Sequence, residues 1–187
     1  MKIVFIRHGA TAGNLEKRYI GKTDEPLCDY GIRQLEIKKY PSVRRVISSP
    51  MKRCIQTAKL IYPSAEPIIF NDFRECDFGD FEGKNYSDLN GNSCYQKWID
   101  SGGELMFPNG ELPLSFRQRS CDEFIRAVNA FENVDSIAFV VHGGTIMSVM
   151  SEYALPKRSY YDYQIANGCG YVTEWDGKTI KILSELI

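Results

Sequence analysis

Residues 2–9, KIVFIRHG, and residues 137–144, IAFVVHGG, share one layout: a short apolar run that ends on a histidine followed by glycine. His8 and His142 are the only two histidines in the chain. A short, continuous apolar run is typical of a strand buried on both faces, as in a parallel sheet covered by helices. The sequence therefore predicts that each histidine lies where a buried strand ends.

Strands and helices alternate along most of the chain. Apolar runs and helical spacing predict strands at 2–6, 42–50, 67–70 and 136–141, and helices at 29–40, 51–62, 116–131 and 144–155. Such alternation predicts an α/β fold, a three-layer α/β/α sandwich with a mainly parallel sheet. Ligands of such sheets bind beyond the carboxyl ends of the strands, where both histidines fall, provided that the first and fourth strands are neighbours.

Local signals refine three of the connections. Ser49 and Pro50 have the character of an N-cap and a first helical residue for the second helix. The stretch that contains Gly13, Gly21 and Pro26 is predicted to be a loop. Asp176-Gly177 joins two alternating runs near the C-terminus, which indicates a hairpin.

Residues 72–115 interrupt the alternation. This segment is acidic at first, then rich in glycine, asparagine and serine, with aromatics scattered through it. It has too many aromatics for a disordered tether, which predicts an irregular lid insertion with one or two short helices. The whole chain, 1–187, is expected to form a single domain.

Composition excludes several classes of protein. The net charge of −1 offers no global basic field for nucleic acid or an anionic membrane. No apolar run approaches the length of a membrane span or a signal-peptide core. The six cysteines form no C-x-x-C pair, which argues against a zinc site and favours reduced thiols in a cytoplasmic protein.

His8 has chemical neighbours of the right kind for catalysis. A histidine at a strand end is usually structural, but Arg7 places a fixed cation beside this imidazole and Gly9 allows close approach of a ligand. A cation disfavours protonation of the ring, which leaves neutral imidazole able to attack an electrophile or accept a proton.

Arg53 and Glu75 are two further candidate residues for the site. Arg53 falls in the first turn of its helix, where a cation is unfavourable unless an anion is shared with the helix terminus. It is either a solvated side chain or part of a phosphate site, which its planar guanidinium suits. Glu75 belongs to an acidic cluster directly after the third strand. Most such carboxylates are solvated, but one could project over the strand ends and donate a proton to a leaving oxygen.

A metal site is the competing explanation for the two histidines. They have no helix-spaced partner, and Arg7 and Arg53 would repel a cation. We therefore expect no metal and no cofactor. Two histidines, two arginines and a carboxyl at four successive strand ends are hard to attribute to packing.

Four motifs now resemble a known family. RHGAT with Asn14, SSPMKRCIQTA, RECDFGDFEG and VVHGGTI are similar, in the same order, to motifs of the histidine phosphatase superfamily. The resemblance covers essentially the whole chain. It implies a metal-independent phosphatase in which His8 is the nucleophile, Glu75 the proton donor, and Arg7, Arg53 and His142 stabilise the phosphoryl group. It also implies substrate-binding roles, which fall to Asn14, Thr11 and the backbone N–H of Gly143.

Chain length and the segments GKTDEPLCDYG, FGDFEG and PNGE are most similar to α-ribazole-5′-phosphate phosphatases, which act late in cobalamin nucleotide-loop assembly. Ala10 stands where the family usually has Glu, and Leu112 where a serine often follows PNGE. A broad-specificity phosphatase for small phosphorylated metabolites, a phosphoglycerate-mutase-like enzyme and an inactive phospho-ligand binding module stay open. The lid aromatics could stack on a base or merely form the core of the lid.

Overall fold

Seven strands form one sheet at the centre of the molecule. The computed structural model describes all residues, 1–187, and its strands are β1 (Lys2–Arg7), β2 (Arg45–Ser48), β3 (Ile68–Ile69), β4 (Ser136–Val141), β5 (Ala154–Leu155), β6 (Gly170–Trp175) and β7 (Ile180–Leu186). The helices are α1 (Ala12–Leu15), α2 (Asp29–Glu36), α3 (Lys52–Ile61), α4 (Ser93–Asp100), α5 (Pro113–Ala130) and α6 (Gly143–Tyr153). No helix combines the length and the apolar character needed to cross a membrane.

The sheet is mixed and mainly parallel, as predicted. Its order is β3-β2-β4-β1-β6-β7-β5. Four of the six pairings are parallel, and the two antiparallel ones join β6 to β1 and to β7. The β6–β7 pair confirms the hairpin around Asp176, whose carboxylate accepts bonds from the backbone N–H groups of Lys178 and Thr179. The first and fourth strands are neighbours, with Arg7 opposite Val141.

Helices cover both faces of the sheet, which confirms the three-layer α/β/α sandwich. Successive side chains of a strand point to opposite faces. Phe5 of β1 accordingly packs with the cluster of α5 and α6, whereas Val4 packs with Cys54 and Ala58 of α3. Both clusters consist of fully or almost fully buried side chains, so the strand ends between them are held rigidly.

Several boundaries differ from the sequence-based expectations. The N-cap of α3 is Met51 and its first residue is Lys52, so the expectation for Ser49 and Pro50 was wrong by two residues. Ser49 instead contacts the ring of His142, which is distant in the sequence. The predicted loop after β1 contains the four-residue helix α1, because Thr11 and Asn14 form a capping box around it.

Three other elements have different lengths. α2 ends at Glu36 rather than near residue 40, and Ile37 beyond it is exposed. α5 begins three residues before the predicted start, with Pro113 in its first turn, a position that proline favours. β3 is only two residues long, because it lies at the edge of the sheet directly after Pro67.

The lid insertion packs around an apolar cluster of its own. It contains α4 and a short 3-10 helix, Gly79–Phe81, and its cluster is built on Phe81, Leu89 and Phe107. Phe116 of α5 joins this cluster, which is separate from the two clusters that flank the sheet. Apart from Phe73 at its start, which packs on Phe139 in the core of the sheet, the insertion therefore has a core of its own.

Candidate active site

The ends of β1 and β4 bring the two histidines together. The backbone N–H of His8 donates to the carbonyl of Val141 at 3.0 Å, and the two imidazole centroids lie 5.2 Å apart with the rings at 68°. His8 is 3% exposed and His142 is fully buried. The register of two neighbouring parallel strands thus places both imidazoles at the carboxyl edge of the sheet.

The imidazole of His8 has a fixed tautomer. Its Nδ1 atom lies 2.7 Å from the carbonyl oxygen of Gly9, which can only accept, so Nδ1 carries the proton. Burial lowers the pKa of His8 well below its ordinary value, and the charges of Arg53 and Arg7 lower it further. The ring is therefore neutral, and its Nε2 atom holds a free lone pair.

His142 is fixed from the neighbouring strand. Its Nε2 atom lies 2.8 Å from Oγ of Ser49, and its Nδ1 atom is 3.9 Å from Oε2 of Glu75. Burial is the main cause that lowers the pKa of His142 well below the ordinary value, followed by the charge of Arg53. His142 is also the N-cap of α6, so the ring lies beside the positive end of that helix.

Two guanidinium groups lie near the imidazoles, and each is held by backbone carbonyls instead of carboxylates. Arg53 is fully buried and donates to the carbonyls of Thr23, Gly21 and Ile20 at 2.8, 2.9 and 3.3 Å. Arg7 donates from Nη1 to Ile165 at 2.7 Å. Burial lowers the pKa of Arg7.

The Nε atoms of both arginines are buried and have no hydrogen-bond partner. Neither side chain takes part in a salt bridge. Two positive charges without a carboxylate partner therefore act on the small volume around His8 and His142, an arrangement that favours an anion.

Glu75 lies against the same volume from the loop after β3. Its Oε1 atom accepts from the N–H of Cys76 at 3.0 Å, and Arg119 binds its backbone carbonyl at 3.1 Å. Burial raises the pKa of Glu75, although the Cys76 hydrogen bond and the charges of Arg53 and Arg7 oppose this. A carboxyl group with a raised pKa can hold a proton and donate it.

The three predicted substrate-binding residues differ in their access to the cavity described below: Asn14 and Gly143 line it, and Thr11 does not. Gly143 is the first residue of α6, where the backbone N–H groups have no partner within the helix. Thr11 is fully buried, and its hydroxyl accepts from the N–H of Asn14 as the cap of α1. A direct contact between Thr11 and a substrate stays a prediction.

The sequence of the chain matches one protein family over nearly its whole length. The profile of the "Histidine phosphatase superfamily (branch 1)" matches residues 3–185, nearly the entire chain. The chain belongs to the histidine phosphatase superfamily.

Similar histidine phosphatases include enzymes of several specificities. The adenosylcobalamin/alpha-ribazole phosphatase of Salmonella typhimurium is 26% identical over 178 residues, 90% of this chain and 88% of that protein. A broad-specificity phosphatase of Saccharomyces cerevisiae is 30% identical over 164 residues, 80% of this chain and 69% of that protein. The crystal structure of the alpha-ribazole phosphatase from Shigella flexneri has a TM-score of 0.86, with 25% identity over 100% of this chain and 96% of that one.

In this histidine phosphatase, a cavity of about 630 Å³ opens over the strand ends. Arg7, His8, Asn14, Glu75 and Gly143 line it, whereas Arg53, His142 and Thr11 lie behind that wall. Seven aromatic residues also line it: Tyr19, Phe78, Trp98, Phe107, Phe116, Tyr160 and Tyr161. Three further cations, Lys17, Arg18 and Arg117, line the same cavity, so aromatic and positively charged side chains are mixed in its wall.

The lid aromatics pack together and also border the cavity. Trp98 stacks on Tyr95 at a centroid distance of 6.1 Å and packs on Phe107, as part of the lid cluster. Trp98 and Phe107 also face the cavity. Core packing is thus shown for both side chains, and a contact of either with a ligand stays a prediction.

Three residues at the site carried no sequence signal of their role. Ser49 has the pattern of a helix cap, and its contact with His142 joins residues far apart in the chain. Asn167 lies in a turn-like Asn-Gly pair, and Tyr160 lies in a segment without periodicity. Only the pairing of distant strands and loops brings Asn167 and Tyr160 to the cavity and Ser49 to the His142 ring.

Proposed function

We propose that this protein is a metal-independent phosphomonoester hydrolase that forms a phosphohistidine on His8. The observation that carries the proposal is the bond from His8 Nδ1 to the Gly9 carbonyl, which leaves a neutral Nε2 facing a charged cavity. Neutral imidazole is the nucleophilic form, and here it needs no base to activate it.

In the first step, the lone pair of His8 Nε2 attacks phosphorus and the bond to the ester oxygen breaks. The proton of Glu75 passes to the leaving oxygen, so the alcohol departs neutral. The raised pKa of Glu75 supports its protonated form before this step. The products are phospho-His8, the alcohol and the Glu75 carboxylate.

In the second step, the Glu75 carboxylate takes a proton from water while the water oxygen attacks phosphorus. The N–P bond breaks, its electron pair returns to His8 Nε2, and inorganic phosphate is released. Glu75 is protonated again, so the cycle closes without any metal or cofactor.

The charge on the transferring phosphoryl group is stabilised by the buried cations and fixed donors. Arg7 and Arg53 supply guanidinium charges that have no carboxylate partner. His142 supplies a polar contact from the neighbouring strand. Asn14 and the backbone N–H of Gly143 are further donors. Phosphoryl transfer depends mainly on such positioning and charge stabilisation. Thr11 contributes through the cap that orients Asn14.

For the substrate we propose α-ribazole 5′-phosphate, in cobalamin nucleotide-loop assembly. The aromatic residues that line the cavity suit the flat base of such an ester. The Salmonella and Shigella relatives act, by their names, on alpha-ribazole compounds and cover most of this chain. Ala10 and Leu112 are the two positions at which this chain departs from the family pattern.

A broad-specificity phosphatase of small metabolites is the second candidate. The yeast relative is named for such an activity, and a cavity of about 630 Å³ is far larger than a phosphate group. We place either activity in the cytoplasm as one domain over 1–187, with reduced thiols, because all six cysteines are unpaired.

Phosphate release should be measured in EDTA with α-ribazole 5′-phosphate, 3-phosphoglycerate, sugar phosphates and nucleotides side by side. We expect the highest kcat/KM with α-ribazole 5′-phosphate. Comparable rates on several unrelated esters would favour the broad-specificity candidate, and a preference for 3-phosphoglycerate a mutase-like enzyme.

The covalent step has its own test. Rapid quench should trap an acid-labile, alkali-stable phosphoenzyme that is absent in His8→Ala, which should also lose turnover. Turnover by His8→Ala would refute the nucleophile. Binding of phosphate esters without any turnover by the unaltered protein would identify an inactive binding module.

A further inference from the structure

Asn167 lies beside His8 in the wall of the cavity, on a loop fixed to the end of β1. The N–H of Gly168 donates to the carbonyls of Arg7 and His8 at 3.0 and 3.2 Å, and the N–H of Arg7 donates to Cys169 at 2.9 Å. The hydroxyl of Tyr40 binds the Gly168 carbonyl at 2.8 Å. The backbone directly after Asn167 is therefore fixed relative to His8.

The side chain of Asn167 makes two hydrogen bonds from one nitrogen. Its Nδ2 atom donates to the carbonyl oxygen of His8 and to Oδ1 of Asn14, both at 3.1 Å. The His8 carbonyl can only accept, so the nitrogen of the Asn167 amide must face it. A backbone group thus determines which way this amide is oriented.

The amide of Asn14 is oriented by the same logic. Its Oδ1 atom accepts from the N–H of Thr11 at 3.2 Å and from Asn167. Two donors on one oxygen leave Nδ2 of Asn14 without a protein partner, on a side chain that lines the cavity. Nδ2 is thereby available to an anion bound over His8.

We infer that Asn167 is a positioning residue, which holds the Asn14 amide with its NH₂ group toward the phosphoryl site. Without Asn167, Asn14 Oδ1 keeps only the long bond from Thr11, and the amide can turn its oxygen toward the anion, where it repels. The inference rests on the proposed function, since it deepens the role of Asn14 there.

The test is orthovanadate binding by calorimetry, because this oxyanion probes the phosphoryl site without turnover. We expect Asn167→Ala to weaken vanadate binding about tenfold, the effect of one well-oriented hydrogen bond to a charged group. Asn167→Asp keeps the side-chain volume but cannot donate, so it should lose at least as much. Asn129→Ala, an exposed asparagine near the end of α5, is the matched control and should bind as the unaltered protein does.

A double variant separates positioning from general structure. If Asn167 acts through Asn14, adding Asn167→Ala to Asn14→Ala should weaken vanadate binding less than about twofold further. Losses that multiply in the double variant would overturn the inference, as would affinities of the Asn167→Ala and Asn167→Asp proteins within twofold of the original. Thermal unfolding of each variant shows whether it is folded, and Asn167→Asp decides the case if Asn167→Ala is not.

The outcome is distinguishable from that of the proposed function. Vanadate binding that needs Asn167, in a protein that hydrolyses no ester, would support the inference and refute the hydrolase. Hydrolysis with vanadate binding that does not need Asn167 would refute the inference alone. An unaltered protein that neither hydrolyses esters nor binds vanadate would refute both.

Discussion

Ser49 holds the ring of His142: its Oγ atom lies 2.8 Å from Nε2, and both side chains are fully buried. The contact joins the ends of two paired strands, since Ser48 of β2 lies opposite Val140 of β4. Cys54 packs against the same ring, with its sulfur 3.6 Å from Nε2. The hydroxyl therefore sets the rotation of the imidazole, with Nδ1 toward Glu75.

Replacement of Ser49 should affect catalysis more than folding. We expect Ser49→Ala to lower kcat about tenfold, because one lost hydrogen bond frees the His142 ring in the transition state. Steady-state kinetics and thermal unfolding measure the two effects. Ser120→Ala is the control: that serine is also fully buried, its hydroxyl has no partner, and its loss should leave kcat unchanged. Equal kcat values for the two variants would contradict the role of Ser49.

The pH dependence of kcat/KM should be shifted to the acid side. His8 must be neutral to attack, and burial lowers its pKa, so activity should persist below the ordinary histidine value of about 6.5. Glu75 must be protonated to donate, so activity with a poor leaving group should fall as pH rises through the raised pKa of Glu75. Initial rates over a pH series measure both the acid limb, which reports His8, and the basic limb, which reports Glu75.

Glu75→Gln supplies the control for that profile, because the amide does not titrate and the basic limb should vanish. An acid limb centred at or above pH 6.5 in the original protein would show that the His8 ring is not held neutral as the structure indicates.

The same variant should discriminate between leaving groups. Glu75→Gln should reduce kcat for alkyl and sugar phosphates by at least about 100-fold, within the usual range of general acid catalysis. It should affect 4-nitrophenyl phosphate much less, because nitrophenolate leaves without a proton. Parallel assays with the two esters measure this, and the exposed Glu66→Gln serves as control. Equal losses on both esters would argue against proton donation by Glu75.

Two neighbouring glycines should respond differently to alanine. A Cβ atom at Gly144 would lie 2.8 Å from Oε1 of Glu75 and 2.8 Å from the ring of Phe116, whereas at Gly143 it would lie 3.4 Å from Nε of Arg7. We expect Gly144→Ala to lower kcat at least about tenfold by displacing the Glu75 carboxyl, and to lower stability as well, because the buried Phe116 ring must also shift. Gly143→Ala should be much milder. The opposite ranking in kcat would contradict this geometry.

The sequence predicted the part of the fold and site that short patterns encode. The apolar runs before His8 and His142 placed both rings at strand ends, and the register of β1 and β4 confirmed that they meet. The motif resemblance predicted the family, which the profile match confirmed. Boundaries such as the start of α3 were less accurate, because Ser49 satisfies a distant imidazole and not the helix it precedes.

What the sequence could not predict was the long-range hydrogen bonding. The carbonyls that hold Arg53 come from the loop at 20–23, and the amide that orients Asn14 comes from Asn167. Each bond depends on chain segments that meet only after the sheet forms, and neither segment has a periodic pattern. Helix and strand propensities, which depend on neighbouring residues, carry no information about such contacts.

The separate apolar cluster of the lid has an evolutionary consequence. The strands that carry His8 and His142 are anchored by the cores on either side of the sheet, whereas the lid residues that line the cavity pack on Phe81, Phe107 and their neighbours. Substitutions of these lid residues can therefore change which alcohol fits without loosening the two strands. Proteins that share this fold can therefore diverge in substrate specificity while the strand ends keep the same arrangement.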